Sequence, residues 1–577
     1  MAESWDYSVD VLVIGSGNGG LTAALCSYEM GSPDVLVVEK GARYGGTSSV
    51  SGGGVWVPCN RYAREAGADD SIEAAREYLQ HTIPEGSVPQ EMIDAYLEYG
   101  PRMVDFLHER SHVRYMSLEH YPDYYSNNPG SRTGHRSMEP EPFDASLLGE
   151  DYDTLTPTHH MMHLFGRIPF TQVEAHILTA QLPGWFKVAL KLVGRYALDL
   201  PWLLRTRFGI GRRITTGAAG VARLRLSLKE RDIPLWLNSP MKELITEGDR
   251  VVGAVIEKEG KTLRIQARKA VILAAGGFEK NQAMREQYLP APTSTEWSGG
   301  VPTNTGDAIN EGLRLGAATR LIDSAWWCTT ISVPGETVPR LSIMEKSYPG
   351  SCVVNRKGER FANESQNYMA FQQQLYEVHS EDNPCQPSWH IFDARFRRSY
   401  IVGPLMTARL RPDWTIPKNW YEQGFVGKSD TIRGLAEQMG IDPDGLERTV
   451  AKMNEYAATG KDLDFQRGDA AYDRYYGDPS IQPNPCLAPI VEPPFYAMRI
   501  DAGDFGTQGG LATNIHAQVL KEDGEAIPGL YAIGNSSAAV LPTYPGPGST
   551  LGPAMTFGYQ AAKHITGWTE PEGSGAN

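Results

Sequence analysis

Residues 9–41, VDVLVIGSGNGGLTAALCSYEMGSPDVLVVEKG, restrict what this chain can fold into more than any other stretch. The apolar run from Val9 to Ile14 meets Gly15, Gly17 and Gly20, an apolar helical segment follows, and a second strand, VLVVEK, ends in Glu39 and Lys40. Each part has a mechanical reason. Gly15 permits the tight turn, Gly17 lets a pyrophosphate approach the backbone, and Gly20 lets helix and strand pack closely. Ser16, Asn18 and Gly19 complete the turn, and the helix N-terminus faces the phosphates with its partial positive charge. Glu39 is placed to accept hydrogen bonds from ribose hydroxyls. Strand, glycine turn, helix and strand in this order predict an α/β dinucleotide site.

Later stretches decide which dinucleotide. GGTSSVSGGGVW, residues 45–56, follows the second strand at once, and Gly46, Thr47, Ser48, Gly52 and Gly53 are the small, hydrogen-bonding residues needed where a flavin lies against the backbone. KAVILAAGGFEKN, residues 269–281, reads as a strand ending in small residues, Ala275 and Gly276 among them. IPGLYAIGNSSAAV, residues 527–540, is another, ending at Gly534 and Asn535. Pieces from three distant parts of the chain thus converge on one cofactor, and no second GxGxxG offers a separate nicotinamide domain. FAD is the predicted cofactor, and its electrons must leave to an external acceptor.

With 577 residues the chain exceeds one core, so two domains are expected. A net charge of -15 argues against a nucleic-acid partner. The acidic start MAESWDYSVD has neither a basic region nor an apolar core of a secretory signal, which predicts a cytoplasmic protein. Cys26, Cys59, Cys328, Cys352, Cys385 and Cys486 form no CxxC pair and are expected to be reduced. Residues 182–213 mix Trp, Leu and Phe with Lys187, Lys191, Arg195, Arg205, Arg207, Arg212 and Arg213. This pattern suits first a solvated helical hairpin packed on its own domain, and second a peripheral contact with an anionic membrane surface. His159, His160 and His163 in THHMMH invite a metal reading, but the glutamate of HExxH is missing and no metal is expected. Trp326 and Trp327 read as cavity wall or core, RKGER as a charged turn, and residues 467–496, rich in Pro and polar side chains, as a surface loop. Beyond the tail TEPEGSGAN there is no low-complexity tract.

YPGPGSTLGPAMTFGY, residues 544–559, places prolines and glycines before an apolar, helix-like run, which predicts a rigid loop opening a helix near Ser549. With this stretch, VIGSGNGG, VVEKGARYGGTSSVSGGGVWVP, YPDYYSNNPG, ILAAGGFEKN, NTGDAI, DSAWWC, VVNRKGERFANESQNY, GTQGGLATN and GLYAIGNSSA run in one order over nearly the whole chain. In this the chain resembles the 3-ketosteroid Δ1-dehydrogenases, flavoenzymes related to the fumarate reductase flavoproteins. Residues 150–215 carry no motif of the family. The resemblance implies a Rossmann-like FAD-binding domain built from both chain ends, residues 1–324 and 507–577, with an inserted α+β catalytic domain at 325–506. It adds Lys40, Asp307 and Leu551 to the cofactor-binding set and implies a 3-ketosteroid substrate.

Removing hydrogen across C1–C2 of such a ketone needs a base at C2, a hydride acceptor at C1 and donors aimed at the C3 oxygen, where enolate charge develops. By motif match, Tyr544 and the Gly548 N–H fall at the family's carbonyl-binding pair, Tyr368 at its base and Tyr124 at the tyrosine that assists it. Tyr125 is adjacent to Tyr124 and competes for that assignment. A phenol near pKa 10 is ionised in about one molecule in a thousand at neutral pH, so the base must be helped by a hydrogen bond such as that of Tyr124. Two positions depart from the expected pattern: Gln508 stands where the family has Lys, and Asn535 where many relatives carry an acid. The residues alone leave open a flavoenzyme acting at another bond, a 5α-steroid 4-dehydrogenase or fumarate-reductase-like enzyme, and a flavin electron carrier or steroid-binding protein without turnover.

Overall fold

The computed structural model describes residues 4–180 and 182–570; residues 1–3 of the acidic start and 571–577 of the tail lie outside them. The β-branched run Tyr7–Ile14 forms the middle of an eight-stranded sheet. It pairs in parallel with Val35–Val38 on one side and with Lys261–Leu273 on the other. All four residues of Val35–Val38 are buried, as a parallel strand covered on both faces requires. The 13-residue strand Lys261–Leu273 changes partner along its length. Its first half pairs antiparallel with Arg250–Lys258, and its last three residues pair in parallel with Leu530–Ala532. A strand from near the C-terminus thereby enters the sheet begun at the N-terminus.

The two chain ends also meet through helices. Asn18–Glu29 crosses Leu551–Thr566 so closely that a Cβ on Gly19 would lie 3.1 Å from the carbonyl oxygen of Ala554. Small residues on both helices, Gly19, Ala23, Ala554 and Gly558, permit that approach.

A second sheet of six strands is antiparallel and centres on Phe495–Thr507, which pairs with Ala325–Ile331, Ser388–Phe392 and Val426–Ser429. Its strands and the helices packed on it, Tyr368–Val378 and Pro443–Thr459 among them, fall in the middle part of the chain.

Residues 477–494 form the irregular, largely surface loop that the composition of 467–496 predicts, whereas residues 467–476 turn into the core. Arg467 is fully buried, and Ala471–Tyr475 forms a short helix whose aromatic residues, with Tyr476, turn inward. Aromatic burial draws in this proline-free stretch, and the prolines follow in the loop after it. RKGER is the charged turn expected, with Arg356, Lys357 and Glu359 exposed, but its last residue, Arg360, is buried in ion pairs with Glu364 at 2.6 Å and Asp462 at 2.8 Å. The predicted helical hairpin at 182–213 is present as Trp185–Ala197 and Leu200–Arg205. No helix among the described residues is long and apolar enough to cross a membrane.

Candidate active site

One cavity of about 1360 Å³ runs between the two sheets, and every site residue named from the sequence lines it, from Gly15 in the first turn to Leu551 in the last helix. Its nucleotide end is built by the glycine turn. Gly15 has φ +110°, and a Cβ there would lie 2.2 Å from the Ala274 carbonyl oxygen, so only glycine fits. The helix that follows has Gly17 at its N-cap and no side-chain cap, which leaves first-turn N–H groups facing the cavity. Ser16 donates its hydroxyl to Glu39 at 2.5 Å, and the Gly41 N–H donates to the same carboxylate at 2.8 Å. Glu39 is thus held in place while it lines the cavity. The Asn18 N–H donates to Ser48 at 3.2 Å, tying the glycine turn to the 46–53 segment. Lys40 pairs with Asp307 at 2.8 Å, so these two meet each other at the cavity edge. Asn535 accepts from the Trp326 indole at 3.0 Å. An uncapped helix N-terminus, a backbone that tolerates no Cβ and a fixed carboxylate twenty-odd residues on form a donor set that fits FAD.

At the other end three phenols converge. The rings of Tyr124, Tyr368 and Tyr544 stand 5.5 to 5.6 Å apart in all three pairings. They come from three distant segments. Tyr368 is the first residue of the helix Tyr368–Val378, capped by the Asn367 side chain, and Tyr544 opens the proline-glycine loop. That loop is fixed from outside. The Tyr124 N–H and the Tyr78 hydroxyl both donate to the Pro545 carbonyl, at 2.9 and 2.6 Å, and Ser137 donates to the Pro547 carbonyl at 2.9 Å. Gln508, the residue that departs from the family pattern, also serves the loop by donating to the Pro542 carbonyl. Tyr544 has φ +60°, a conformation costly for a bulky residue and tolerated where surrounding bonds impose it. Gly548 has φ +105°, and its N–H is directed to the Tyr544 hydroxyl.

Burial is the main influence on all three hydroxyls and pushes each above the ordinary phenol range. Tyr124 opposes it at Tyr368 by donating a hydrogen bond, and Tyr544 is drawn down by Thr550, Tyr368 and the Gly548 N–H. Tyr125 is separated from this cluster: its hydroxyl donates to the Thr543 carbonyl at 2.7 Å, which leaves Tyr124 as the neighbour of Tyr368. Trp326 and Trp327 belong to the core and not to the cavity wall, Trp326 edge-on to Tyr544 and Trp327 against Tyr376. His159 and His160 stack at 4.3 Å, and among the described residues no three His, Cys, Asp or Glu side chains stand together as metal ligands.

Residues that no motif marked complete the site. Tyr121 and Tyr476 share a hydrogen bond at 2.6 Å, Tyr121 reaches Tyr124, and Phe505 covers Tyr368 and Tyr544 edge-on. Only the aromatic density of YPDYY and YDRYY hinted at them. The segment without a motif contributes the roof: Gln172 donates to the Gly52 carbonyl at 3.0 Å, and Trp185, Phe186 and Leu190 line the cavity mouth.

The comparisons agree with this geometry. Residues 10–551 match the family model of the FAD binding domain. The 3-oxosteroid 1-dehydrogenase of Mycobacterium tuberculosis is 40% identical over 569 residues, covering 96% of this chain and 98% of the relative. The 4-oxocyclohexanecarboxylate 2-dehydrogenase of Sinomonas cyclohexanicum is 36% identical over 97% of this chain and 93% of its own. The crystal structure of 3-ketosteroid delta1-dehydrogenase from Sterolibacterium denitrificans, in complex with 1,4-androstadiene-3,17-dione, superposes with a TM-score of 0.93 at 47% identity, covering 97% of this chain and 99% of that one. Likeness at this level over the full length makes the chain a member of the FAD-dependent 3-oxosteroid 1-dehydrogenase family of oxidoreductases.

Proposed function

We propose that this protein converts a 3-ketosteroid into its C1–C2 unsaturated product. The observation that carries the reading is the convergence of Tyr124, Tyr368, Tyr544 and Gly548 on one wall of a cavity whose far end is the nucleotide cradle. The cavity volume and aromatic lining favour a steroid over a small dicarboxylate, which would need cations among the phenols. FAD, when bound, supplies the acceptor for the hydride that leaves C1. The Tyr544 hydroxyl and the Gly548 N–H hold the C3 oxygen and stabilise its enolate charge. Tyr368 takes the C2 proton on its phenolic oxygen. The Tyr124 hydroxyl donates to that oxygen while it is ionised, and it takes up the proton from Tyr368 as it passes its own on to Tyr121, whose bond to Tyr476 continues the line of phenols. An external acceptor then reoxidises the cofactor.

We assign residues 1–324 and 507–577 to a Rossmann-like FAD-binding domain and 325–506 to the inserted α+β catalytic domain. The change of sheet near Ala325 and again after Thr507 supports these limits.

Anaerobic addition of a 4-ene-3-ketosteroid to the FAD-loaded protein is expected to bleach the flavin and yield the 1,4-diene. Because burial raises the proton affinity of Tyr368 and only its ionised form accepts the C2 proton, the rate should climb with pH through the phenol range. A flavin that stays oxidised sinks the enzymatic reading, and a product unsaturated elsewhere sinks the assignment of the bond.

The same reading extends to a peripheral membrane contact through 182–213. Phe186 is 60% exposed, Leu190 57%, Leu198 86% and Leu204 61%, beside the basic residues of the segment and at the mouth a lipophilic substrate must use. The holoenzyme should sediment with vesicles containing phosphatidylglycerol and not with pure phosphatidylcholine. The double variant L198S/L204S, at two exposed positions that do not line the cavity, should remain in the supernatant with activity on dispersed steroid intact. Equal sedimentation of that variant and the parent would remove this surface from consideration.

A further inference from the structure

Among the described residues three carboxyl side chains line the cavity. Glu39 and Asp307 belong to the nucleotide end; the third, Glu345, stands among Ile343, Met344, Ile401 and Met406 on the opposite wall. Glu345 is 6% exposed, yet no cation stands at ion-pair distance from it among the described residues. Its Oε1 accepts from the Gly403 N–H at 3.3 Å. Its Oε2 makes no hydrogen bond of ordinary geometry among the described residues and is not sealed in protein, so the surface it keeps opens on the cavity. Lys346, the next residue, spends its ammonium on the Ile343 and Gln366 carbonyl oxygens at 3.1 and 3.5 Å and reaches the carboxyl only through space. Burial pushes the carboxyl above its ordinary range, against the N–H groups of Glu345 and Gly403, the charge of Lys346 and the Met344 N–H, which favour the ionised form. A buried acceptor left open towards a ligand cavity is costly until the ligand supplies a donor, and a few such groups in an apolar pocket set its specificity.

The roof helix Gln172–Thr179 gives the separation of Glu345 from the carbonyl-binding loop. At one end Gln172 donates to the Gly52 carbonyl at 3.0 Å, beside Gly54, where a Cβ would lie 3.3 Å from the Pro547 carbonyl oxygen. At the other end Thr179 reaches the Tyr348 hydroxyl, which also faces Glu345. The helix climbs about 10 Å between these points, the length of four fused rings. A steroid whose C3 oxygen is held by Tyr544 and Gly548 therefore brings ring D to Glu345. We propose that Glu345 is a specificity-determining residue: its open oxygen accepts a hydrogen bond from a hydroxyl at C17, so a 17β-hydroxy-3-ketosteroid is favoured over the matching 17-ketone, whose oxygen is itself an acceptor. This inference rests on the C1–C2 dehydrogenation proposed above.

The test uses the FAD-loaded parent, E345Q and E345L with two 4-ene-3-ketosteroids that differ only at C17, a 17β-hydroxyl in one and a ketone in the other. Steady-state kcat/KM is measured for each with an artificial electron acceptor. The parent should favour the hydroxysteroid about tenfold. E345L, which has no acceptor, and E345Q, which can turn an amide N–H towards the ketone, should each bring the ratio within about twofold of one. A merely structural role would slow both substrates alike and leave the ratio unmoved. A parent ratio near one, a parent preference for the ketone, or a preference that persists in both variants overturns the proposal. If E345L fails to load FAD, E345Q, of the same shape, decides alone. If neither steroid reduces the flavin of the parent, the C1–C2 reading itself falls; if both do and the ratio ignores Glu345, only the role of Glu345 falls.

Discussion

Tyr368→Phe is expected to slow steroid-dependent flavin reduction by about 10³-fold or more while FAD stays bound. General-base catalysis of this kind contributes roughly 10² to 10⁴ in rate, and no second base stands close enough to substitute. The phenols adjoining Tyr368 are Tyr124 and Tyr544, and the proposed roles of both require them as donors. The ring remains, so packing against Phe505 persists and the helix cap from Asn367 is untouched. Rapid-mixing absorbance of the flavin measures the rate, and the ratio of flavin to protein absorbance measures occupancy. A variant that reduces its flavin within tenfold of the parent would discard Tyr368 as the base. A variant that has lost FAD would say that the residue shapes the cradle instead.

Gly548→Ala should cost about 10² to 10³ in kcat, comparable to removing one oxyanion donor. Two effects act together. The position has φ +105°, which a side chain resists, and the new methyl carbon would lie 2.4 Å from the backbone of Gly54 and Val55. Neither neighbour can withdraw easily, because the Gly548 carbonyl accepts from the Trp56 N–H and the Gly54 segment belongs to the cofactor cradle. The N–H must therefore shift away from the Tyr544 hydroxyl it is directed to, and with it from the C3 oxygen the two are proposed to hold. Comparison with Tyr544→Phe, which removes the partner donor without moving the loop, isolates the backbone contribution. Steady-state kcat for both variants with a 4-ene-3-ketosteroid checks this. A Gly548→Ala enzyme with unaltered kcat would show that the C3 oxygen is held elsewhere.

What was legible beforehand follows the physics of each element. The nucleotide end could be read because its glycines have local causes, a turn and a close approach that no other residue permits. The loop at 544–548 could be read for the same reason. Tyr121 and Tyr476 could not, since their meeting depends on a pairing 355 residues apart in the chain. Nor could the burial of Arg467 and Arg360, because a charged residue signals solvent until a partner from elsewhere neutralises it. The roof over the cavity is built from amphipathic helices whose pattern suited either a packed hairpin or a membrane contact. Sequence favoured the packed hairpin on general grounds and could not show that its helices roof the cavity.

The crossing of the first helix over the last has a bearing on how the molecule is made. Residues 534–551 close a cradle that residues 15–20 begin, so a polypeptide still emerging from the ribosome holds half a grip on the nucleotide until its final segment is released. Yellow colour in a preparation thus reports that synthesis has passed residue 551, and chains terminated before it should be pale and short-lived.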